Sequence, residues 1–177
     1  MKLVVLDRDG VINFDSEQYV KSPEEWTPIP GSLEAIARLT QAGFRVVIAT
    51  NQSGLGQGLF DMATLNATHD KMHKAVNQLG GRIDAVFFCP HAQDAGCACR
   101  KPLPGMLLEI AERYNVALAG VPAIGDSLRD LQAASAAGAR PVLVLTGKGK
   151  QTLKSGGLPA GTEIHPDLAA AAIALAA

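Results

Sequence analysis

Five short runs of apolar, mostly β-branched residues punctuate the chain: Lys2 to Leu6, Phe44 to Ala49, Ala85 to Phe88, Val121 to Ile124 and Val142 to Leu145. None alternates with polar positions, as expected of strands covered on both faces. Between them lie amphipathic, helix-like stretches with recognisable ends. Ser32 to Ala42 follows Pro30-Gly31 and stops at Gly43, and Ala63 to Leu79 stops at Gly80-Gly81. Gly105 to Tyr114 follows a proline, Leu128 to Ala137 stops at Gly138, and the alanine-rich end after His165 reads as a terminal helix. Strand and helix alternate throughout, without repeat or linker, which predicts one α/β domain over residues 1–177 built on a doubly wound, Rossmann-like parallel sheet of five to six strands.

Polar clusters follow every strand: Asp-Arg-Asp, Thr-Asn-Gln-Ser-Gly, Cys-Pro-His, Gly-Asp-Ser and Thr-Gly-Lys-Gly-Lys. In an open parallel sheet the ligand crevice lies beyond the carboxyl ends of the strands, where the strand order reverses. All five clusters are therefore expected at one edge.

Charge and length restrict what that edge serves. Sixteen basic and 17 acidic residues leave a net charge of -1. No cationic field of the kind that binds nucleic acid is present, so the expected partner is a small molecule. The apolar run before Asp7 is too short for a signal peptide, and the C-terminal run is shorter than the roughly 20 residues of a membrane span. A cytoplasmic, membrane-independent monomer is the expectation, and in that compartment the three cysteines read as thiolate ligands rather than disulfides.

The chemistry starts with Asp7 and Asp9 at the end of the first strand, where residues two apart point the same way. Two adjacent carboxylates at a buried sheet edge call for a cation, and oxygen ligands suit Mg²⁺. One can then act as a nucleophile toward phosphorus while the other moves a proton. Thr50 and Asn51 supply neutral donors, Lys101 a compact cation, Arg100 a planar fork for a second anion, and Asp126 a further metal ligand with Asp130 one helical turn on. Taken singly each has a bland reading as a strand-end turn, a solvated basic pair or a helix cap.

The stretch CPHAQDAGCACRKP holds every cysteine. Cys89-x-His91 and Cys97-x-Cys99 form two ligand pairs five residues apart, enough to close a structural, tetrahedral Zn²⁺ site. Gln93, Asp94 and Gly96 make the loop too polar for a core segment. Because Cys99 is bonded to Arg100, the clip over residues 89–104 would fix Arg100 and Lys101 in place. His69 and His73 share a helix face but lack further ligands, so a solvated face is expected for both; His165-Pro166 reads as a loop, and Trp26 as packing for the segment around it.

DRDG, TNQ, RKP and GDSLRD, in this order and each at a strand end, resemble the four motifs of the haloacid dehalogenase superfamily of phosphotransferases, over essentially the whole chain. The resemblance implies a capless member. Asp7 would become an aspartyl phosphate, Asp9 would be general acid and then base, and Thr50 and Lys101 would hold the phosphoryl group. Mg²⁺ would rest on Asp7, the carbonyl of Asp9 and Asp126. The clip before RKP is similar to a branch holding heptose 1,7-bisphosphate 7-phosphatases, which serve ADP-heptose and lipopolysaccharide core synthesis, and histidinol-phosphate phosphatases. TNQSG and RKPLPGM lean toward the sugar bisphosphate, whereas the short His91–Cys97 gap resembles the histidinol group. By that likeness Asp15, Gln18, Tyr19, Asn51, Gln52 and Ser53 would contact the sugar. Arg100, then Lys148, would meet the second phosphate, and Ser127 stands where a lysine can occur. A receiver-type phosphoacceptor domain would need its acceptor aspartate where VFFCPH stands, and a non-catalytic zinc module would leave the converging acids unexplained.

Overall fold

The computed structural model describes residues 1–177. Along the chain run β1 (Lys2–Leu6), a 3-10 turn (Pro23–Glu25), α1 (Ser32–Gln41), β2 (Phe44–Asn51), α2 (Ser53–Gly56), α3 (Met62–Gln78) and β3 (Ala85–Cys89). They are followed by α4 (Gly105–Tyr114), β4 (Pro122–Gly125), α5 (Leu128–Ala136), β5 (Arg140–Val144), α6 (Gly149–Ser155), β6 (Glu163–His165) and α7 (Leu168–Ala176). The six strands form one parallel sheet in the order β3-β2-β1-β4-β5-β6. The chain winds outward from β1 in one direction and, from β4, in the other, so the order reverses beside β1.

The uniform apolar runs now have their cause. In β1, Val4 and Leu6 enter one core with Ile36, Leu39, Met72, Val76, Leu168 and Ala171 of α1, α3 and α7. Leu3 and Val5 enter the other core with Met106 and Ile110 of α4 and Ala133 and Ala134 of α5. Both faces of the sheet are covered, so both alternating sets must be apolar. Trp26 is 1% exposed within the first core and anchors the long segment between β1 and α1.

Several boundaries differ from those the pattern predicts. β2 continues through Thr50 and Asn51, which pair with Phe88 and Cys89 of β3, because ladder hydrogen bonds join backbones whatever the side chain. α3 begins at Met62, its free N–H groups capped by Asp61, which accepts from the Thr64 N–H at 2.9 Å. His165 is not in a loop: it ends β6, a three-residue edge strand too short to carry a pattern. No helix is long and apolar enough to cross a membrane.

Candidate active site

Beyond the carboxyl ends of β1, β2 and β4 lies a cavity of about 310 Å³, all but two of whose 17 lining residues are polar. Of the residues singled out from sequence, Asp7, Asp9, Asp15, Tyr19, Asn51, Gln52, Ser53, Arg100, Lys101, Asp126, Asp130 and Lys148 line it. Thr50 is buried directly beneath, with its hydroxyl accepting from Gln52 Nε2 at 3.0 Å. Gln18 is exposed and outside the lining, and the Ser127 hydroxyl is engaged by Asp130 at 2.9 Å.

Two glycines let the acids approach. Gly10 has φ +84°, and a Cβ there would lie 2.0 Å from Asp126 Oδ2. A Cβ on Gly125 would lie 2.3 Å from Asp130 Cβ. Any side chain at either position would displace a carboxylate of the site.

Lys101 is the hinge of the electrostatics. The residue is 5% exposed, and its ammonium lies 2.7 Å from Asp130 Oδ1, 3.3 Å from Asp7 Oδ1 and 2.8 Å from the Ala49 carbonyl that accepts from it. Burial would lower its pKa, but Asp130 and Asp7 together hold it above the usual lysine value. The nearer acid receives most of the benefit. Although burial opposes ionisation, Lys101 and the Ser127 hydrogen bonds keep Asp130 below the ordinary carboxylate range. Asp7 is pushed up to about 7 by burial and by the charge of Asp130, with Lys101 compensating only in part. Asp126 rises to about 8 through burial, Asp130 and Asp7, even though its Oδ2 accepts from the Lys148 N–H at 2.8 Å.

Asp9 is set apart from Asp7. Its Oδ1 accepts from Arg8 Nε at 3.0 Å, Arg8 Nη2 at 2.8 Å and Asn13 Nδ2 at 2.9 Å; Oδ2 accepts only from Gln52 Nε2, at 3.2 Å. Burial raises its pKa, but Arg8 and these hydrogen bonds prevail and hold it below the usual value. Two carboxylates two residues apart thus have opposite proton affinities in the metal-free site.

Sequence reasoning missed Arg8 and Asn13, both fully buried, as well as Arg129 in the cavity lining. His69 is not on a solvated face: it is 7% exposed, and its Nε2 lies 3.1 Å from Arg8 Nη1. Burial, then the charges of Arg8 and His73, depress it to about 3, so the imidazole is neutral. The spacing Leu65, His69, Met72, Val76 is the buried stripe of α3 and was the signal that could have placed it inside.

Two groups of side chains have the donor sets of metal sites. One oxygen from each of Asp7, Asp126 and Asp130 lies within 4.8 Å of the others. Asp130 is already held by Lys101 and Ser127, which leaves Asp7 and Asp126 as a hard oxygen pair fitting Mg²⁺. Cys89, His91, Cys97 and Cys99 form the second group. Cys89 Sγ is 3.6 Å from Cys97 Sγ and 3.4 Å from His91 Nδ1, close to the edge of about 3.7 Å that tetrahedral bonds of about 2.3 Å produce, while Cys99 Sγ sits closer, 2.8 Å from Cys89 Sγ. All three cysteines are free of disulfides. Burial and the neighbouring thiols push Cys99 to about 12, a mutual repulsion that a bound cation relieves.

The clip reaches the cavity through its chain neighbours. Arg100 donates from Nη1 to Ser53 Oγ. The Lys101 N–H donates to Asn51 Oδ1 at 3.0 Å, and Asn51 Nδ2 donates back to the Lys101 carbonyl at 3.1 Å. Across the mouth, Lys148 Nζ lies 3.5 Å from Asp15 Oδ2.

Comparison with known proteins agrees with this site. The HAD-hydrolase-like family matches residues 98–171, and the Polynucleotide kinase 3 phosphatase family matches residues 2–127. A D-glycero-beta-D-manno-heptose-1,7-bisphosphate 7-phosphatase of Bordetella bronchiseptica is 68% identical over 172 residues, covering 97% of this chain and 96% of that protein. The crystal structure of the D,D-heptose 1,7-bisphosphate phosphatase from B. bronchiseptica, complexed with magnesium and phosphate, superposes with a TM-score of 0.98 at 67% identity, over 99% of this chain and 98% of that one. The corresponding phosphatase from Burkholderia thailandensis gives 0.80 at 59% identity, with the same coverage. On the fold, the order of the four motifs and this identity over nearly its whole length, the chain belongs to the D-glycero-D-manno-heptose-1,7-bisphosphate 7-phosphatases, phosphoric monoester hydrolases of the haloacid dehalogenase superfamily.

Proposed function

We propose that the protein removes the C7 phosphate of D-glycero-β-D-manno-heptose 1,7-bisphosphate in the cytoplasm, as a monomer, through an aspartyl phosphate on Asp7. The observation that carries this reading is the division of labour between Asp7, which faces Lys101 and Asp126, and Asp9, whose Oδ1 is clamped while Oδ2 stays available. The β anomer is taken from the relatives' names, at 68% and 55% identity.

The cavity lining carries six carboxylates (Asp7, Asp9, Asp15, Glu17, Asp126, Asp130) against four cations (Arg100, Lys101, Arg129, Lys148). An anionic substrate would be repelled by that balance without an added cation. Asp7, the Asp9 carbonyl and Asp126 would hold Mg²⁺, which when bound neutralises the acids and the phosphate charge. Cys89, His91, Cys97 and Cys99 would hold Zn²⁺ as a structural clip.

With the phosphate beside Lys101 and Thr50, an Asp7 oxygen attacks phosphorus in line, and the bond to the sugar O7 breaks. Asp9 Oδ2 delivers a proton to that oxygen. Asp9 is ionised in the free protein; the negative phosphate arriving beside it raises its proton affinity, and Oδ2 takes up from solvent the proton it then delivers. The same oxygen then takes a proton from water, whose oxygen attacks phosphorus and breaks the Asp7–phosphate bond; as inorganic phosphate leaves, Asp9 returns that proton to solvent and both carboxylates are restored. Arg100 and Lys148 serve the C1 phosphate, leaving heptose 1-phosphate for ADP-heptose and lipopolysaccharide core synthesis.

Phosphate release with Mg²⁺ from both anomers and from L-histidinol phosphate tests the reading. The β anomer should turn over fastest, Asp7→Asn should abolish release from it, and Arg100→Ala should harm bisphosphates more than monophosphates. Preference for histidinol phosphate would overturn the substrate, and activity retained in Asp7→Asn would overturn the nucleophile.

A further inference from the structure

We propose that His69, on α3, is a positioning residue for the proton transfer: it holds Arg8 so that Arg8 pins one oxygen of Asp9 and leaves the other to work. This rests on the reading of Asp9 as the group that protonates the leaving oxygen.

Arg8 is fully buried, and its guanidinium is engaged on two sides. Nε and Nη2 both converge on Asp9 Oδ1, at 3.0 and 2.8 Å, while Nη1 faces His69 Nε2 at 3.1 Å. An arginine nitrogen only donates, so the His69 nitrogen opposite it is the unprotonated one, and a planar fork held at both ends cannot swing. Asn13 adds a third donor to the same Oδ1 at 2.9 Å. The working proton is thereby confined to Oδ2, the oxygen that meets Gln52.

The chemistry of position 69 is specific. A carboxylate there would divide the arginine charge between two acids, and an aliphatic side chain would leave Nη1 buried without an acceptor. A neutral imidazole fixes the guanidinium and leaves its charge to Asp9. His69 is one of the buried polar residues of α3, otherwise an apolar stripe of Leu65, Met72 and Val76; it is not among the residues that line the cavity, and its side-chain hydrogen bond is to Arg8. It reaches from the helix layer to the catalytic edge, joining residues 61 positions apart.

The test is single-turnover release of the leaving group from the heptose bisphosphate, a poorly leaving alkoxide that needs the proton, and from p-nitrophenyl phosphate, which does not. Asp9→Asn sets the reference: its loss should be large for the sugar and small for the aryl ester, and equal losses would overturn the assignment of Asp9 itself. His69→Leu should slow the sugar reaction about 10-fold or more, part of the 10²–10⁴-fold that general acid catalysis supplies. The aryl ester should change less than about 3-fold, with KM for the sugar nearly unchanged. His69→Gln, which retains an acceptor, should restore most of the sugar rate. Should the Leu variant not fold, His69→Asn, polar but one bond too short, takes its place. Equal losses on both esters, an undiminished sugar rate, or no rescue by a folded Gln variant would each overturn the proposal while leaving Asp9 as the acid.

Discussion

Lys101 sits between two acids that it cannot satisfy equally, and this asymmetry has a measurable consequence. Replacing it by Met leaves Asp130 and Asp7 buried without their cation, a change that costs about 3–5 kcal/mol for buried pairs. The acids can escape only by taking up protons, so the folded variant gains affinity for protons. Its deficit against wild type in urea unfolding should therefore be larger at pH 8 than at pH 5, and an equal deficit would mean that packing rather than charge is lost. Asp7 and Asp126 were legible because each stands in a short motif at a strand end, and Lys101 because it stands in RKP, directly after the cysteine clip, although the structure puts it in the loop before α4 and not at the end of β3. Arg8 was not: an arginine between two aspartates reads as solvated, and only the segment around Val11, Ile12 and Asn13, all fully buried, carries it under the sheet edge. Nor was the role of Asp130, which sequence placed only as a residue one helical turn beyond Asp126; its partner Lys101 lies 29 positions away.

The clip shows what an element contributes that its residues do not. Spacing alone revealed Cys89, His91, Cys97 and Cys99, and uniformly apolar runs alone revealed five of six strands, because both are local signals. What the loop leans on was not visible. α2 packs so closely beneath it that a Cβ on Gly56 would lie 2.4 Å from the Ala92 nitrogen and 2.6 Å from the Pro90 carbonyl oxygen. The same four-residue helix begins with Ser53, which accepts from Arg100. Loop and helix thus brace one cavity wall from both sides. Cys97→Ser should lower bound zinc from about one per chain and should lower the thermal midpoint with it. Gly56→Ala should keep the four zinc ligands yet push the loop off α2, destabilising by about 1–3 kcal/mol as overpacking does. It should also raise KM for the bisphosphate more than for a monophosphate, since Arg100 moves with the loop. Zinc content measured by atomic absorption beside the kinetics separates the two routes; a Gly56→Ala protein with normal KM would show that loop and cavity are independent.

At the scale of the whole molecule, the acids divide into two sets that pull stability in opposite directions with pH. Asp7, raised to about 7, and Asp126, raised to about 8, bind protons more tightly folded than unfolded. Without Mg²⁺ their contribution is fully present below the unfolded carboxylate pKa near 3.8 and is lost as pH rises through 7 and 8. Asp9 and Asp130, both lowered, and His69, depressed to about 3, behave the other way: their stabilisation is present at neutral pH and is lost on acidification. The Mg²⁺-free, zinc-loaded protein should therefore be most stable at mildly acid pH and should weaken toward pH 8. Each raised acid contributes a slope on the order of 1 kcal/mol per pH unit within its window. Mg²⁺ binds the ionised acids, so its stabilisation should grow from pH 6 to pH 8 and offset that decline. Thermal midpoints measured with and without Mg²⁺ across this range, without chelator so that zinc is retained, test the linkage. Asp126→Asn should flatten the Mg²⁺-free decline and remove most of the Mg²⁺ response. A Mg²⁺ effect of constant size from pH 6 to 8 would mean that Asp7 and Asp126 are already ionised in the empty site, with Lys101 and the Lys148 N–H compensating them in full.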